Sequence, residues 1–372
     1  MTSFLQSFPL GLRDARSVPT VARTKILKRA KPLKFSQFNG TLRSAVFSAR
    51  RGAGYGRDSR SRPGILTVKA IDTGDAMEQY KECASKALSI NLDPKYYGSF
   101  AEIGAGQEVA RWFFAVGGAA GTIAKSISAY DMTISDTFYG KCARYVTKER
   151  LEAMLEYEYL QCSLPLKADR GKDTCFFAFA DTVVAKAFMR DNECHGWLGV
   201  KWQMNPGEEP SRLMLHIRML DPNAQLQQEA LGVFGVNLVH ACLCLSENLN
   251  TESYNFGPFL QSLMNELSSD RIEVDAIEMD GPKFSENVSN RVLALSLVEQ
   301  GLTDAVLFDN QGEVCIPSDR LRKKSILLQR GSFRPFTLLN YDMLNCGAST
   351  FFCDLQNEDG DDDTCVVRDD AV

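Results

Sequence analysis

Histidine is scarce in this chain: His195, His216 and His240 are the only three in 372 residues. A histidine-rich metal centre is therefore excluded. Any Ser-His-Asp or Cys-His device must use one of these three, with partners that only the fold can bring. The eleven cysteines include no C-x-x-C pair. That removes the usual zinc and dithiol signatures, leaves no disulfide framework to infer, and fits a reducing compartment. No apolar run reaches the roughly 18 residues that span a bilayer. The longest, Ala230–Leu245, is interrupted by Asn237 and His240 and reads as a buried helix. There is no internal repeat.

Acids are nearly missing from the beginning of the chain. Residues 1–68 hold ten arginines and four lysines against Asp14 and Asp58 alone. Such a basic, serine-rich stretch without a continuous apolar core reads as an organellar transit peptide. Its composition changes at Ile71, so processing is expected near Val68-Lys69-Ala70. The organisation predicted is a disordered leader over 1–69, a single α/β globular domain over 70–345, and an acidic disordered tail over 346–372, which contains EDGDDD. The mixture of serine and arginine points to the plastid stroma, with the mitochondrial matrix as the alternative. With a net charge of −5 for the whole chain, everything after the leader is strongly acidic. Such a body is a poor nucleic-acid binder.

The most patterned stretch runs from Ala101 to Gly140. Stepping about 100° per residue from Gln107, Val109, Phe113, Val116, Ala120, Ile123 and Ile127 fall on one apolar stripe. The spacing predicts a long amphipathic helix within 101–136. Gln107, Arg111, Gly118, Thr122 and Lys125 fall on the opposite face, and Gly117, Gly121, Ala124 and Ser128 make a ridge of small residues between. The polar line is either a solvated face or a groove in which Arg111 and Lys125 hold an anion. Gln107, Glu108, Arg111, Thr122 and Lys125 are the candidate ligand-binding residues. A bend at Gly117-Gly118 would bring Lys125 toward Gln107, Glu108 and Arg111. The segment GGAAGTIAKS is no P-loop, because Ala119 and Ala124 stand where that motif needs glycine.

Further along, Thr147 is a natural N-cap for a helix to about Gln161. Thr174–Val184, Gly196–Met204, Arg212–Leu220, Ile272–Met279, Asp304–Phe308 and Ser325–Gln329 read as strands. NPGEEPS between the second and third has the chemistry of a hairpin loop. Asp221-Pro222 opens a long helix to about Leu245, in which Gly232 and Gly235 offer a close-packing site. Phe259–Leu267 and Val292–Glu299 are expected to be helical. The fold class expected is mixed α/β: one predominant mixed sheet with an antiparallel hairpin, flanked by helices.

Cys194 and His195 would point to opposite faces of a strand, which argues against a dyad. Asn237 and His240, three apart on a helix, read as a buried pair, and Asp131 and Asp136 as caps. Cys346, Cys353 and Cys365 sit in a flexible acidic region and read as free thiols.

The blocks GAGQEVARWFFAVGGAAGTIAKSISAYDM, NECHGWLGVKWQ, LHIRMLD, QQEALGVFGVNL, VEQGLTDAVLF and RGSFRP, from about Phe100 to Leu339, resemble a family shared by bacteria and plastids. That family carries the inherited labels nicotinate-nucleotide adenylyltransferase and TonB-dependent receptor. None of the three histidines stands in the H-x-G-H signature of the former, and the long series of alternating strands of the latter is absent. The resemblance implies a soluble α/β protein of an organelle of bacterial descent and carries over no catalytic residue. No cofactor is indicated. Two functions stay open: a non-catalytic stromal protein that binds plastid proteins during assembly or maintenance, and an enzyme or binding protein for an anionic nucleotide or phosphorylated metabolite.

Overall fold

The computed structural model describes residues 78–358, apart from 188–191, 247–248, 250–254, 283, 285–288, 322–323 and 332. The expected leader and the end of the expected tail lie outside the described residues. Two compact units are present, one spanning Ile65–Lys324 and a second that takes in Ser325 onward.

In the first unit, helix α1 (Lys81–Leu92) leads to β1 (Tyr96–Ile103), the short helix α2 (Glu108–Ala115), a single 3-10 turn (Ala119–Gly121) and β2 (Ile123–Ile127). Helices α3 (Met132–Tyr139) and α4 (Lys148–Arg170) precede three strands, β3 (Cys175–Val184), β4 (His195–Trp202) and β5 (Ser211–Met219). Next come α5 (Ala224–His240), a π-turn (Ala241–Leu245), α6 (Gly257–Leu263), β6 (Ile272–Asp280) and α7 (Asn290–Glu299). A small hairpin, β7 (Leu307–Phe308) and β8 (Val314–Cys315), and the short helix α8 (Pro317–Leu321) complete it. The helix starts follow local chemistry. Asp131, Thr147 and Asn223 each accept a backbone N–H of the first turn, from Ile134, Arg150 and Leu226 respectively.

One six-stranded sheet runs β2-β1-β3-β4-β5-β6. β1 is parallel to both its neighbours, and β3 to β6 are antiparallel. The fold is therefore the expected mixed α/β one, and the NPGEEPS loop does join an antiparallel pair, β4 and β5. Helices α1, α2, α5, α6 and α7 bury one face; there Phe100, Phe113, Phe177 and Phe179 stack with centroids 4.9 to 5.8 Å apart. The other face packs against α3 and α4 through Tyr139, Leu151, Met154 and Leu155.

The long central helix does not form. α2 ends after eight residues because Gly117 and Gly118 adopt the left-handed region, with φ of 84° and 77°. The β-branched run that follows is recruited as β2, paired parallel to β1. Within α2 the angular reading holds: Val109 and Phe113 are fully buried, and Arg111 faces outward. Beyond Gly118 it fails, since a strand alternates with a period of two.

Other boundaries also move. α4 continues to Arg170 with the exposed Pro165 inside it. Ser325–Gln329 forms no strand. A helix, α9 (Leu338–Glu358), occupies the start of the stretch expected to be a disordered tail, and its N-terminus is capped by reciprocal bonds between Thr337 and Asn340. The span Ala224–Leu245 is long and apolar enough to cross a membrane, but 72% of that window is buried in the protein's own core.

Candidate functional site

Strand β6 carries a bulge. His216 pairs with Ala276 while its neighbour Ile217 pairs with Val274, so Asp275 is the extra residue between them. A bulge of this kind re-aims a side chain. Here it brings Asp275 Oδ1 to 2.6 Å from His216 Nδ1, both residues being almost fully buried. His216 Nε2 in turn lies 2.9 Å from Nδ1 of the half-buried His195, on the adjacent strand β4.

The chemistry of this chain sets its direction. A carboxylate only accepts, so His216 Nδ1 donates to Asp275. In its neutral form His216 accepts from His195 Nδ1–H, which leaves the lone pair on His195 Nε2. Burial, and then the neighbouring His216, hold His195 below the usual imidazole range; Glu193 and Asp319 oppose the shift. The arrangement presents an unprotonated imidazole nitrogen, with a second imidazole and a carboxylate behind it to take up the charge.

A cavity of about 800 Å³ lies on the far side of Trp197, and none of the three residues of the chain lines it. Trp197, whose ring lies 5.3 Å from that of His216, and Glu278 line it from the sheet. One wall is the segment Lys141–Glu149 and the other the segment Asp309–Arg320. The charges of Arg144 and Asp319, which both line the cavity, act on His195. Arg144 ties one wall to the other through Asp319 at 2.9 Å, Lys148 ties its wall to the sheet through Glu278 at 2.5 Å, and Arg320 and Asp309 pair within their own wall at 3.2 Å. Both signs of charge thus line one concave surface.

The five residues expected to form a groove are dispersed. Gln107 precedes α2 and donates to Ser126 Oγ at 3.2 Å. Glu108 and Arg111 pair with each other at 2.8 Å. Thr122 is buried, its hydroxyl on Ile90 O at 3.4 Å. Lys125 stands on the opposite face of the sheet, its Nζ 2.6 Å from Oε2 of the fully buried Glu158 of α4. Strand alternation explains the separation, because Ser126 turns toward α2 and Lys125 therefore turns away.

The N-terminus of α2, at the carboxyl end of β1, is where such a fold ordinarily takes an anion. Glu102 of β1 already fills it, accepting the N–H groups of Val109 and Ala110 at 2.9 Å each. Beside it, across the β1–β3 pair, stands Asp181, also buried, accepting Ile103 N–H at 3.0 Å.

Elsewhere, Asn237 and His240 do not pair. Asn237 holds Lys86 and the carbonyls of Leu263 and Asn265, and burial lowers His240 to about 4. Cys194 is buried on the face opposite His195, as alternation requires.

No family model matches the chain, and no curated protein matches it. Solved structures similar to it include the competence/damage inducible protein CihA from Agrobacterium tumefaciens, at 16% identity. That match covers 44% of this chain and 94% of the other, with a TM-score of 0.33. A competence-damaged protein (CinA) superfamily protein from Enterobacter cloacae is similar at 12% identity, over 49% of this chain and 99% of that one, with a TM-score of 0.32. Likeness at this level assigns no function.

The histidine chain was beyond sequence reasoning for a definite reason. Met214, His216 and Arg218 alternate visibly, and His195 lies two residues before Trp197. The register that puts His195 beside His216 depends on the β4–β5 pairing. The bulge that delivers Asp275 leaves no mark in the local pattern.

Proposed function

We propose that the protein binds a small metabolite carrying both signs of charge, or an anionic one, in the cavity floored by Trp197, and that His195 Nε2 removes a proton from it or from an attacking water. The observation that carries this reading is the chain Asp275–His216–His195, packed through His216 on the cavity-lining Trp197, with His195 in the field of the lining charges Arg144 and Asp319. Proton uptake at His195 Nε2 would pass a proton through Nδ1 to His216, where Asp275 stabilises the imidazolium. The exposed pair Arg144–Asp319 contributes little to folding, so its partners are free to exchange with a ligand.

The test is long-range proton–nitrogen NMR of the three histidine side chains at pH 7. Expected is a neutral His195 protonated at Nδ1 and a His216 protonated at Nδ1. Ligands of the classes named should perturb His195 Nε2 and raise the melting temperature. A His195 protonated at Nε2, or no compound that shifts its signal, would defeat the proposal.

A second reading, a non-catalytic role in binding other plastid proteins, is favoured by the second unit. Leu328, Phe336, Leu338 and Leu339 are exposed there at 81, 52, 88 and 66%, a density of apolar surface that commonly marks a protein contact. A photo-crosslinker at Leu339 in isolated plastids should yield one reproducible adduct, and its absence would remove this reading. The plastid stroma is the location carried with both.

A further inference from the structure

We propose that Cys142 is a modification site, forming a mixed disulfide with an anionic low-molecular-weight disulfide such as glutathione disulfide. The site is built around Arg150, whose side chain is only 2% exposed. A buried guanidinium is costly unless its donors are met. Asp136 accepts from Nη2 at 2.8 Å, and Ser135 O from Nη1 at 3.5 Å. Nε and Nη2 both point at Cys142 Sγ, at 3.2 and 2.7 Å. A thiol sulfur is a weak acceptor, so two guanidinium donors converging on it mark it as the least satisfied partner of a buried Arg150. Ser135 Oγ, in the same knot, is buried without a partner.

Cys142 is half-buried and lines the 800 Å³ cavity; Arg144 and Lys148 of its segment are held by Asp319 and Glu278, and the exposed Lys141 next to it is the cation that faces an incoming anion. By contrast Cys83, Cys162 and Cys242 are sealed in the core, where burial pushes their thiols up, Cys162 to about 11. In the step proposed, the Cys142 proton leaves to solvent and the thiolate attacks one sulfur of the disulfide. The new S–S bond forms as the old one breaks; the departing sulfur takes the bonding pair and a proton. Cysteine sulfur is oxidised, and the named disulfide is reduced. This chemistry is independent of the histidine chain.

The test incubates the reduced full-length chain with glutathione disulfide or with cationic cystamine and maps the adducts by peptide mass spectrometry over time. Cys142 should gain glutathione about ten-fold faster than the exposed Cys346, a difference of the size set by a neighbouring cation. It should also prefer glutathione disulfide to cystamine. Arg150→Lys should slow the reaction. Because Arg150 is buried and its replacement puts folding at risk, Lys141→Glu is the second probe: it should slow glutathione but not cystamine. A Cys142 that reacts no faster than Cys346, or equally with both disulfides, overturns the proposal.

Discussion

Glu102 carries its carboxylate to the N-terminus of α2, the place an external anion would otherwise take, and Asp181 lies beside it out of water. Burial raises both, Glu102 to about 7 and Asp181 well above the usual carboxylate range; each is opposed by backbone N–H donors. The folded chain therefore holds protons that the unfolded chain has released above about pH 4. Stability from this pair is fully present below that pH and is lost as pH rises toward 7. His195 and His240, both lowered, slope the opposite way, so the whole-protein profile mixes the two. The difference between wild type and Asp181→Asn isolates the carboxyls. Relative to wild type, the variant should gain of order 1–3 kcal/mol between about pH 4 and 7, since each tenfold change in a proton-binding constant is worth about 1.36 kcal/mol. Urea denaturation across that range checks it, and a pH-independent difference would mean that the two acids do not titrate together. None of this is visible in a sequence in which Glu102 and Asp181 stand far apart.

Among elements, α2 and α5 approach each other closely. A methyl group on Gly235 would collide with Val109 Cγ2, and one on Gly232 would crowd Trp112 Nε1 and Glu108. The two glycines thus let α5 lie against α2, at a cost of roughly 0.5–1 kcal/mol each in helix propensity. Gly235→Ala should lose about 1–3 kcal/mol despite its better propensity, the usual range for overpacking. Val109→Ala in the same chain should recover part of that loss, because it removes the colliding methyls. A stabilised Gly235→Ala in thermal denaturation would show that the helices have room to separate. The close-packing role of these glycines was legible in the sequence; their partner was not. Of the ridge of small residues read on the expected central helix, Gly121 belongs to a 3-10 turn and Ala124 to β2. Local signals survived where they were self-contained: the caps Asp131 and Thr147, the alternation of β5, and the hairpin loop after β4. They failed where one tertiary choice, the stop at Gly117-Gly118, changed the period of everything after it.

At the scale of the whole molecule, the candidate site draws on segments near 141–149, 197, 216, 275–278 and 309–320. Only the antiparallel order of β3 to β6 brings them together, which is why no motif announced it. The same topology gives a sharp contrast in expected protection. α5 is packed in the core, with Val233, Phe234, Val236 and Leu238 wholly inaccessible. Its amides should exchange only when the unit Ile65–Lys324 unfolds. Among the side chains described on α9, none is buried. A helix draws most of its stability from a buried apolar face, and the described part of α9 has none. Its amides should therefore exchange through local fraying, at least about a hundred-fold faster than those of α5. Hydrogen exchange read by mass spectrometry on the full chain measures both at once. Protection of α9 equal to that of α5 would show its apolar residues covered in solution, and would favour the protein-binding role over proton transfer at His195.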